Sequence, residues 1–432
     1  MQRNPLMNRE CKIECNYIEN AFASCLISTG KTKVICTCSI DHNVPPFRAE
    51  KNLSWLTAEY SMLPASTGTR KKRNGLKQDS RGIEIQRLIG RSLRECIDLD
   101  SIEGITFLID CDVIQADGGT RTASITGAYV ALHLAIEKLI NQGVIDHNPI
   151  KHQVAAISTG IVNSELLVDL CYNEDSNADV DFNVVMCGDG NLIEVQGTGE
   201  KTNFSLEKLN EIILQSRIAI LRLMNIQRDA LKKAGVKYLP KLNLIVASTN
   251  KNKIFEISTM LDDKYNLFGL DFLGFNDEII ENGNTFQENS IIKSELISKK
   301  YNIITIADDS GLSIEYLEGK PGIKSARYGG GKLSSKEKNM LILKQMSEAN
   351  DRSAHFTCCI SLVVPGEKTK TFVGICNGYI LESEIGKNGF GYDPIFAYED
   401  GRPFASLTPE EKNEVSHRGI AIKKLGEYLE TI

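Results

Sequence analysis

The apolar residues of this chain fall into two spacings, and the changes from one to the other divide it into elements. Residues 22–40 and 105–115 show short apolar runs and alternation of period two, which predicts β-strands. Residues 82–97 and 122–141 repeat their apolar positions at helical spacing, and a further strand set covers 154–197. The spacing over 205–234 predicts a long helix with Leu209, Ile212, Ile213, Ile218 and Leu221 on its apolar face. Gly235 and Pro240 then break the pattern in KKAGVKYLPKLN (232–243). A new apolar strand, LNLIVAS (242–248), follows and runs through a polar turn into the amphipathic KIFEISTMLDD, the strand–loop–helix opening of an α/β domain. The pattern predicts two domains of α/β (α+β) class, residues 1–238 and 244–432, joined by a linker at 239–243. Length agrees, because 432 residues exceed the roughly 250–300 that one core ordinarily serves.

Composition changes this picture little. Hydrophobic content of 42% and charged content of 25% are those of an ordinary globular protein. The net charge of −6 is shared by both halves, so any RNA contact needs a local cluster of cations rather than bulk charge. The 12 cysteines include no C-x-x-C pair, which argues against a zinc finger. Several sit in apolar runs such as KVICTCSI and HFTCCISLVV, where a cysteine reads as a small buried hydrophobe. So many unpaired thiols point to a reducing compartment and a cytoplasmic location. The opening MQRNPLMNRE lacks the apolar core of a signal peptide. No apolar run approaches the ~18 residues of a membrane span, and no membrane partner is expected.

Three segments of the front half carry candidate phosphate chemistry. Arg87, Arg91 and Arg94 form one stripe on the helix beginning EIQRLIGR, either a solvated basic face or an anion site. In DVIQADGGTRTAS (112–124), Gly118 and Gly119 permit a tight turn before a helix, whose free N–H groups favour an anion that Thr120 and Arg121 can close upon. LCYNEDSNADVDFNVVM (170–186) offers Asp175 and Asp181, with Glu174 and Asp179 nearby, as oxygen ligands for Mg²⁺ or as a plain acidic loop. TRKKRNGLKQDSR (69–81) sets Arg70, Lys71, Lys72, Arg73, Lys77 and Arg81 in an aperiodic stretch, a cationic loop that is either solvated or a handle on an RNA backbone.

These segments, together with NVPPF, WLTAEYSMLP and EVQGTGE, resemble the ribonuclease PH family in order across nearly all of 16–235. The resemblance implies a βαβα fold of the ribosomal protein S5 domain 2 type. It also implies phosphorolytic trimming of RNA 3′ ends, typically of tRNA precursors, with inorganic phosphate as co-substrate. Arg87 and Gly119, Thr120 and Arg121 would then hold the attacking phosphate. Asp175 and Asp181 would be the catalytic and Mg²⁺-binding carboxylates. Arg70, Lys71, Lys72, Arg73 and Lys77 would grip the RNA, and a hexameric ring is expected. The start MQRNPLMNRECKIEC departs from the family's short basic opening, which bears on contacts of the N-terminal arm.

The back half has its own set. The strand LNLIVAS ends in Ser248, Thr249, Asn250, Lys251, Asn252 and Lys253, a polar turn before a helix that either binds phosphates or is only a turn. In IADDSG (306–311) the adjacent Asp308 and Asp309 cannot face the same way at a strand end, so one is expected to serve chemistry and the other to anchor a turn. Glu281 and Glu288 are further metal candidates. GFGYDP (389–394) holds Phe390, Gly391, Tyr392 and Asp393 in a constrained loop suited to a flat base, and EEKNEVSHRG (410–419) supplies Lys412, His417 and Arg418.

The ordered set resembles the inosine triphosphate pyrophosphatase family over about 243–430. The resemblance implies an α/β domain with a long mixed sheet, often dimeric, that hydrolyses ITP, dITP and XTP to the monophosphate and pyrophosphate. It implies Asp309 as the base that activates water, Glu281 with Asp309 as Mg²⁺ ligands, and Ser248–Lys253, Ser310, Phe390–Asp393, Lys412, His417 and Arg418 as the nucleotide site. The opening loop departs from the family's Thr-Gly-Asn, with Ser248, Thr249 and Asn250 in its place. The leading expectation is a bifunctional enzyme acting on RNA 3′ ends and on purine nucleoside triphosphates. The alternative is a silent RNA-binding or oligomerising front half with only the pyrophosphatase active.

Overall fold

The structure, a computed structural model, describes residues 3–72, 80–330 and 333–432. It divides into two units, Met1–Asn243 and Leu244–Ile432.

The first unit runs β1 (Cys11–Cys15), β2 (Ala23–Thr29), β3 (Thr32–Asp41), α1 (Pro46–Ala49), β4 (Trp55–Met62), α2 (Ser80–Cys96), β5 (Thr106–Gln115) and α3 (Thr120–Asn141). It continues with β6 (Val154–Val162), β7 (Glu165–Val168), α4 (Tyr172–Asp175), β8 (Val180–Cys187), β9 (Leu192–Gly199) and α5 (Leu206–Lys233). A five-stranded sheet has the order β1-β2-β3-β5-β4 and a four-stranded sheet the order β7-β6-β8-β9. Only β4 and β5 pair in parallel in the larger sheet. Period-two alternation in β3 turns Val34, Cys36 and Cys38 inward onto the core that α3 fills. All twelve cysteines are free thiols. Burial pushes the Cys36 thiol well above its ordinary range, the condition of a packing residue rather than a reactive one.

α3 is long and apolar enough by composition to cross a membrane, which the sequence reading did not register, but 89% of its apolar stretch is buried inside the unit. It lies against the sheet at Gly127, where an added Cβ would stand 2.7 Å from Cys36 Sγ and 2.8 Å from Ile27 Cγ2. Overpacking costs ~1–3 kcal/mol, whereas Ala gains only about 1 kcal/mol over Gly in helix propensity. Gly127→Ala is therefore expected to lower the urea midpoint of the first unit.

His133 of α3 is buried, with Nε2 2.6 Å from the Tyr238 carbonyl and Nδ1 3.3 Å from the Tyr129 hydroxyl. Burial pushes its pKa down to about 4. Its folded value thus lies below the unfolded ~6.5, so the unfolded chain binds the extra proton between them. Stability is fully present above pH ~6.5 and falls as pH drops toward about 4, by up to roughly 3 kcal/mol. Denaturant unfolding across that window should show the slope, and His133→Gln should flatten it.

β10 (Leu242–Val246) runs across the division into the second unit, which continues with α6 (Lys251–Met260), β11 (Tyr265–Phe268), α7 (Phe286–Tyr301), β12 (Thr305–Ile314) and β13 (Lys320–Pro321). α8 (Ser335–Gln345), β14 (Ser353–Val363), β15 (Lys370–Ile380), β16 (Phe396–Tyr398), α9 (Pro409–Val415) and α10 (His417–Leu429) complete it. Its seven strands form one mixed sheet, β11-β10-β12-β14-β15-β16 with β13 on β12. β10 and β12 are parallel, and β12, β14, β15 and β16 are antiparallel in turn. The Asp308–Asp309 pair was expected at a strand end, with one aspartate anchoring a turn. It lies instead in the middle of the ten-residue β12, which is hydrogen-bonded along β14 from Thr305 to Ile314. Gly311 allows this, since a Cβ there would meet Ser325 Oγ at 2.4 Å.

Candidate active sites

The first unit holds a cavity of about 940 Å³ whose walls include Tyr60, Lys71, Lys72, Arg81, the Gly118–Arg121 turn, Tyr172, Asp175 and Asp181. The turn is built by β5 running into α3. Gly118 takes φ +76°, and a Cβ on it would sit 2.4 Å from the Leu170 carbonyl oxygen, so no other residue fits. The first N–H groups of α3 lack helical partners by geometry and face the place an anion would take. Tyr60 and Thr120 hydroxyls lie 2.9 Å apart, and Arg121 Nη1 donates to Gln196 Oε1 at 2.9 Å, which fixes its guanidinium.

Asp175 ends α4 and Asp181 is the second residue of β8. Burial raises Asp175, with Arg81 and Arg121 pulling the other way. Asp181 is pushed up to about 6, first by burial and then by the negative charge of Asp175. Its Oδ1 is buried without a hydrogen-bond partner. A proton or a hard cation would satisfy that oxygen.

Two expectations need correction. Arg87 is exposed and does not line the cavity, whereas Arg81 does. Six residues along a helix turn the side chain by about 600°, so Arg81 and Arg87 stand on different sides of α2. Arg91 and Arg94 likewise lead away: Arg91 reaches Glu194 at 3.4 Å, and Arg94 lies 4.8 Å over the Trp55 ring. Glu174 caps the Cys171 N–H and pairs with Arg3 at 2.7 Å, a structural duty that removes it from the metal candidates. Among the residues expected to grip RNA, Lys71 and Lys72 line the cavity and Arg70 is exposed, while Arg73 and Lys77 lie outside the described residues.

Arg9 was not foreseen. It donates to the Asp117 carbonyl at 2.6 Å and to Asp169 Oδ1 at 2.7 Å, tying the N-terminal arm under the Gly-Gly turn. A lone arginine in NPLMNRE carries no local signal of this.

The second unit gathers its chemistry around β12. Strand alternation sends Asp308 to one face and Asp309 to the other. Asp308 is fully buried against Lys253 Nζ at 3.1 Å and Arg418 Nη2 at 3.3 Å. Burial works to raise its pKa, but Lys253, Arg418 and Lys293 outweigh it and hold the carboxyl far below its ordinary range. On the other face, Lys293 of α7 sits 3.4 Å from Asp309 Oδ1 and 3.1 Å from Glu281 Oε1. Burial raises Asp309 and Lys293 pulls it back, while Asp309 Oδ2 has no hydrogen-bond partner.

Beside Asp308, Arg418 Nη2 donates to Ser310 Oγ at 3.1 Å and Nη1 bonds Glu256, and Lys412 Nζ lies 2.8 Å from Asp393 Oδ2. Lys412 and Arg418 both stand over the Phe390 ring, at 5.1 and 5.7 Å. Of the expected nucleotide site, the structure thus brings together Lys253, Ser310, Phe390, Asp393, Lys412 and Arg418.

The other expected members make the following contacts. Asn250 caps α6 by accepting from the Asn252 and Lys253 N–H groups, and Ser248 Oγ accepts from the Asn250 N–H. Thr249, Lys251 and Asn252 are exposed around this cap, and Gly391 takes φ +66° in the loop after Phe390. Tyr392 is buried, its hydroxyl donating to the Ser325 carbonyl at 2.7 Å, so Phe390 alone offers its ring. His417 was expected as a switchable cation. It is buried and stacked on Phe356 at 4.7 Å, and burial with the charges of Arg418 and Lys412 drives its pKa well below the usual value, which keeps it neutral. Glu288 accepts from the Asn284 N–H at the start of α7 and is not drawn to Asp309 by any described contact.

Glu256 and Lys293 were missed. Glu256 follows Lys253 by three on α6, a spacing that shares one face and gave a usable signal. Lys293 stands alone in the apolar IIKSELI of α7. Among the described residues no group of three or more His, Cys, Asp or Glu side chains is placed to hold a metal.

A turn that presents helix N–H groups and arginine beside paired carboxylates, and a cationic aromatic cleft beside a buried aspartate pair, define a phosphate-handling enzyme with two separate centres. Residues 7–136 and 152–219 match domains 1 and 2 of the 3′ exoribonuclease family, and residues 244–428 match the Ham1 family. The chain is 52% identical over 228 residues to ribonuclease PH of Neisseria meningitidis serogroup C, covering 52% of this chain and 94% of the relative. Ribonuclease PH of Crocosphaera subtropica is 50% identical over 232 residues, covering 54% and 97%. Among solved structures, the Ham1 protein of Staphylococcus aureus is 40% identical, with a TM-score of 0.42 and coverage of 44% of this chain and 98% of that one. Rice (Oryza sativa) Rrp46 has a TM-score of 0.44 at 19% identity, covering 53% and 98%. The chain belongs to the ribonuclease PH family in its first unit and carries a Ham1-family domain in its second. It joins a phosphorolytic exoribonuclease domain to a nucleoside triphosphate pyrophosphatase domain.

Proposed function

We propose that the first unit trims the 3′ ends of tRNA precursors by phosphorolysis and that the second hydrolyses ITP, dITP and XTP to the monophosphate and pyrophosphate. For the first unit, the observation that carries the reading is the single cavity shared by Arg81, the Gly118–Arg121 turn, Asp175 and Asp181. Arg81, Arg121 and the helix N–H groups hold inorganic phosphate. One of its oxygens bonds the phosphorus of the terminal phosphodiester, the bond to the penultimate 3′ oxygen breaks, and a nucleoside diphosphate leaves. The departing oxygen needs a proton, and Asp181, pushed up to about 6, can hold one. The partnerless Asp181 Oδ1 and the Asp175 carboxylate also fit Mg²⁺, which would neutralise charge on the phosphates.

For the second unit, the carrying observation is the pair of cationic side chains over Phe390. Lys412 and Arg418 stand over the ring, and Arg418 Nε is buried without a partner. Lysine and arginine donate and never accept, so they suit a purine with an oxygen at position 6 and disfavour the amino group of adenine. Asp309 takes the proton of the attacking water. Its partnerless Oδ2 and Glu281 would hold Mg²⁺, which would neutralise charge on the phosphates.

Two assays decide. A 3′-extended tRNA incubated with and without phosphate should release nucleoside diphosphates only with phosphate. Absence of such release leaves the first unit a silent scaffold, the reading otherwise disfavoured by the complete cavity. Turnover of ITP and XTP should exceed that of ATP, and equal rates would overturn the base preference. Association through either unit is expected, as a ring or a dimer, and solution mass measurement reads it.

A further inference from the structure

We propose that Tyr172 is the stacking platform for the base at the 3′ end of a single-stranded RNA. The inference rests on the ribonuclease reading of the first unit's cavity and names the residue that holds the terminal nucleotide there. Tyr172 is 62% exposed, a large share for an aromatic side chain, yet it lines the same cavity as Asp175, Asp181 and the Gly118–Arg121 turn. It is the first residue of α4, and Asp175 is the last. Three residues along a helical turn place two side chains on one side, so the ring stands beside the carboxylate at the cavity mouth.

The backbone beneath the ring is held in place. The Tyr172 N–H donates to Asp117 Oδ1 at 3.3 Å, the Cys171 N–H donates to Glu174 Oε2 at 2.8 Å, and Arg3 pairs with Glu174 at 2.7 Å. A ring left in solvent on a fixed turn loses little further freedom when a base lies on it. Lys71 and Lys72 line the same cavity and supply charge for the ribose-phosphate chain. Aromatic rings interleaved with cations along a groove are the chemistry of single-strand binding, and stacking accepts any base because each has a π-face.

The test uses the full chain and a short single-stranded oligoribonucleotide. Tyr172→Ala is expected to raise the KM for RNA by roughly 5- to 150-fold, the range one stacked base supplies. The KM for phosphate should stay unchanged, and Tyr172→Phe, which keeps the ring, should match the wild type. An oligonucleotide with an abasic 3′ residue should bind the wild type more weakly and show no further loss in Tyr172→Ala. Unchanged KM in Tyr172→Ala, equal damage in Tyr172→Phe, or the full Ala effect on the abasic substrate each overturns the proposal. If the wild type shows no phosphate-dependent release, the ribonuclease reading fails on its own. Fluorescence anisotropy of the same oligonucleotide then judges Tyr172 separately: weaker binding in Tyr172→Ala supports the platform, while equal binding, or none by the wild type, overturns it.

Discussion

Asp309→Asn is expected to lower nucleoside triphosphate hydrolysis by about 10²–10⁴-fold, the contribution of a positioned general base. Asparagine keeps the size of the side chain and one oxygen toward Lys293 at the 3.4 Å position, but it cannot accept the proton of the attacking water. Folding should survive, because Lys293 retains Glu281 at 3.1 Å and the Asp308 carbonyl at 2.8 Å. Phosphorolysis by the first unit should be unchanged, since its carboxylates belong to a separate unit. ITP hydrolysis, RNA phosphorolysis and the thermal midpoint, measured on one preparation, check all three points. Loss of both activities at an unchanged midpoint would contradict independent centres, and retained hydrolysis would remove Asp309 from the chemistry.

Arg81→Ala is expected to lower phosphorolysis by about 10²–10³-fold, the cost of losing one donor aimed at developing phosphate charge. The loss should appear in kcat, accompanied by a raised KM for phosphate. Arg87→Ala, by contrast, should stay within roughly twofold, as surface changes away from a site usually do. The contrast tests geometry against motif, because both arginines lie in the same helix and only Arg81 lines the cavity. A large effect at Arg87 with none at Arg81 would overturn the placement of the phosphate.

The two arginines also show what was readable in the chain. Periodicity found α2, α3 and α5 and the strands around them, because each buries one face and alternation or helical spacing records that face. Gly235 and Pro240 were read as the end of that periodicity, and the structure divides the chain after Asn243. Gly119, Thr120, Arg121, Asp175 and Asp181 could be read because the turn and the carboxylates announce their chemistry locally. Arg81 could not be ranked above Arg87, since which side of α2 faces the cavity depends on partners more than thirty residues away. Lys293 and Arg9 act across the fold, where local spacing is silent. His417 and Tyr392 looked like ligand groups by type, but spacing does not show that both rings are buried or that the Tyr392 hydroxyl donates to a backbone carbonyl. Asp308 looked like a turn anchor, and pairing of β12 with β14 shows it as the counter-ion of Lys253 and Arg418.

The placement of Asp308 and Asp309 back to back on β12 has a cost in evolvability. Deleting or inserting one residue upstream of them within the strand would present each carboxylate to the other's neighbours. Lys293 would then face the aspartate suited to the Lys253–Arg418 pair, and a buried arginine would lose its match. Substitutions elsewhere in the strand can be absorbed by repacking, but a change of length cannot. The spacing of β12 is therefore expected to be less forgiving than its composition, and any homologous sequence that shifts it should have given up hydrolysis.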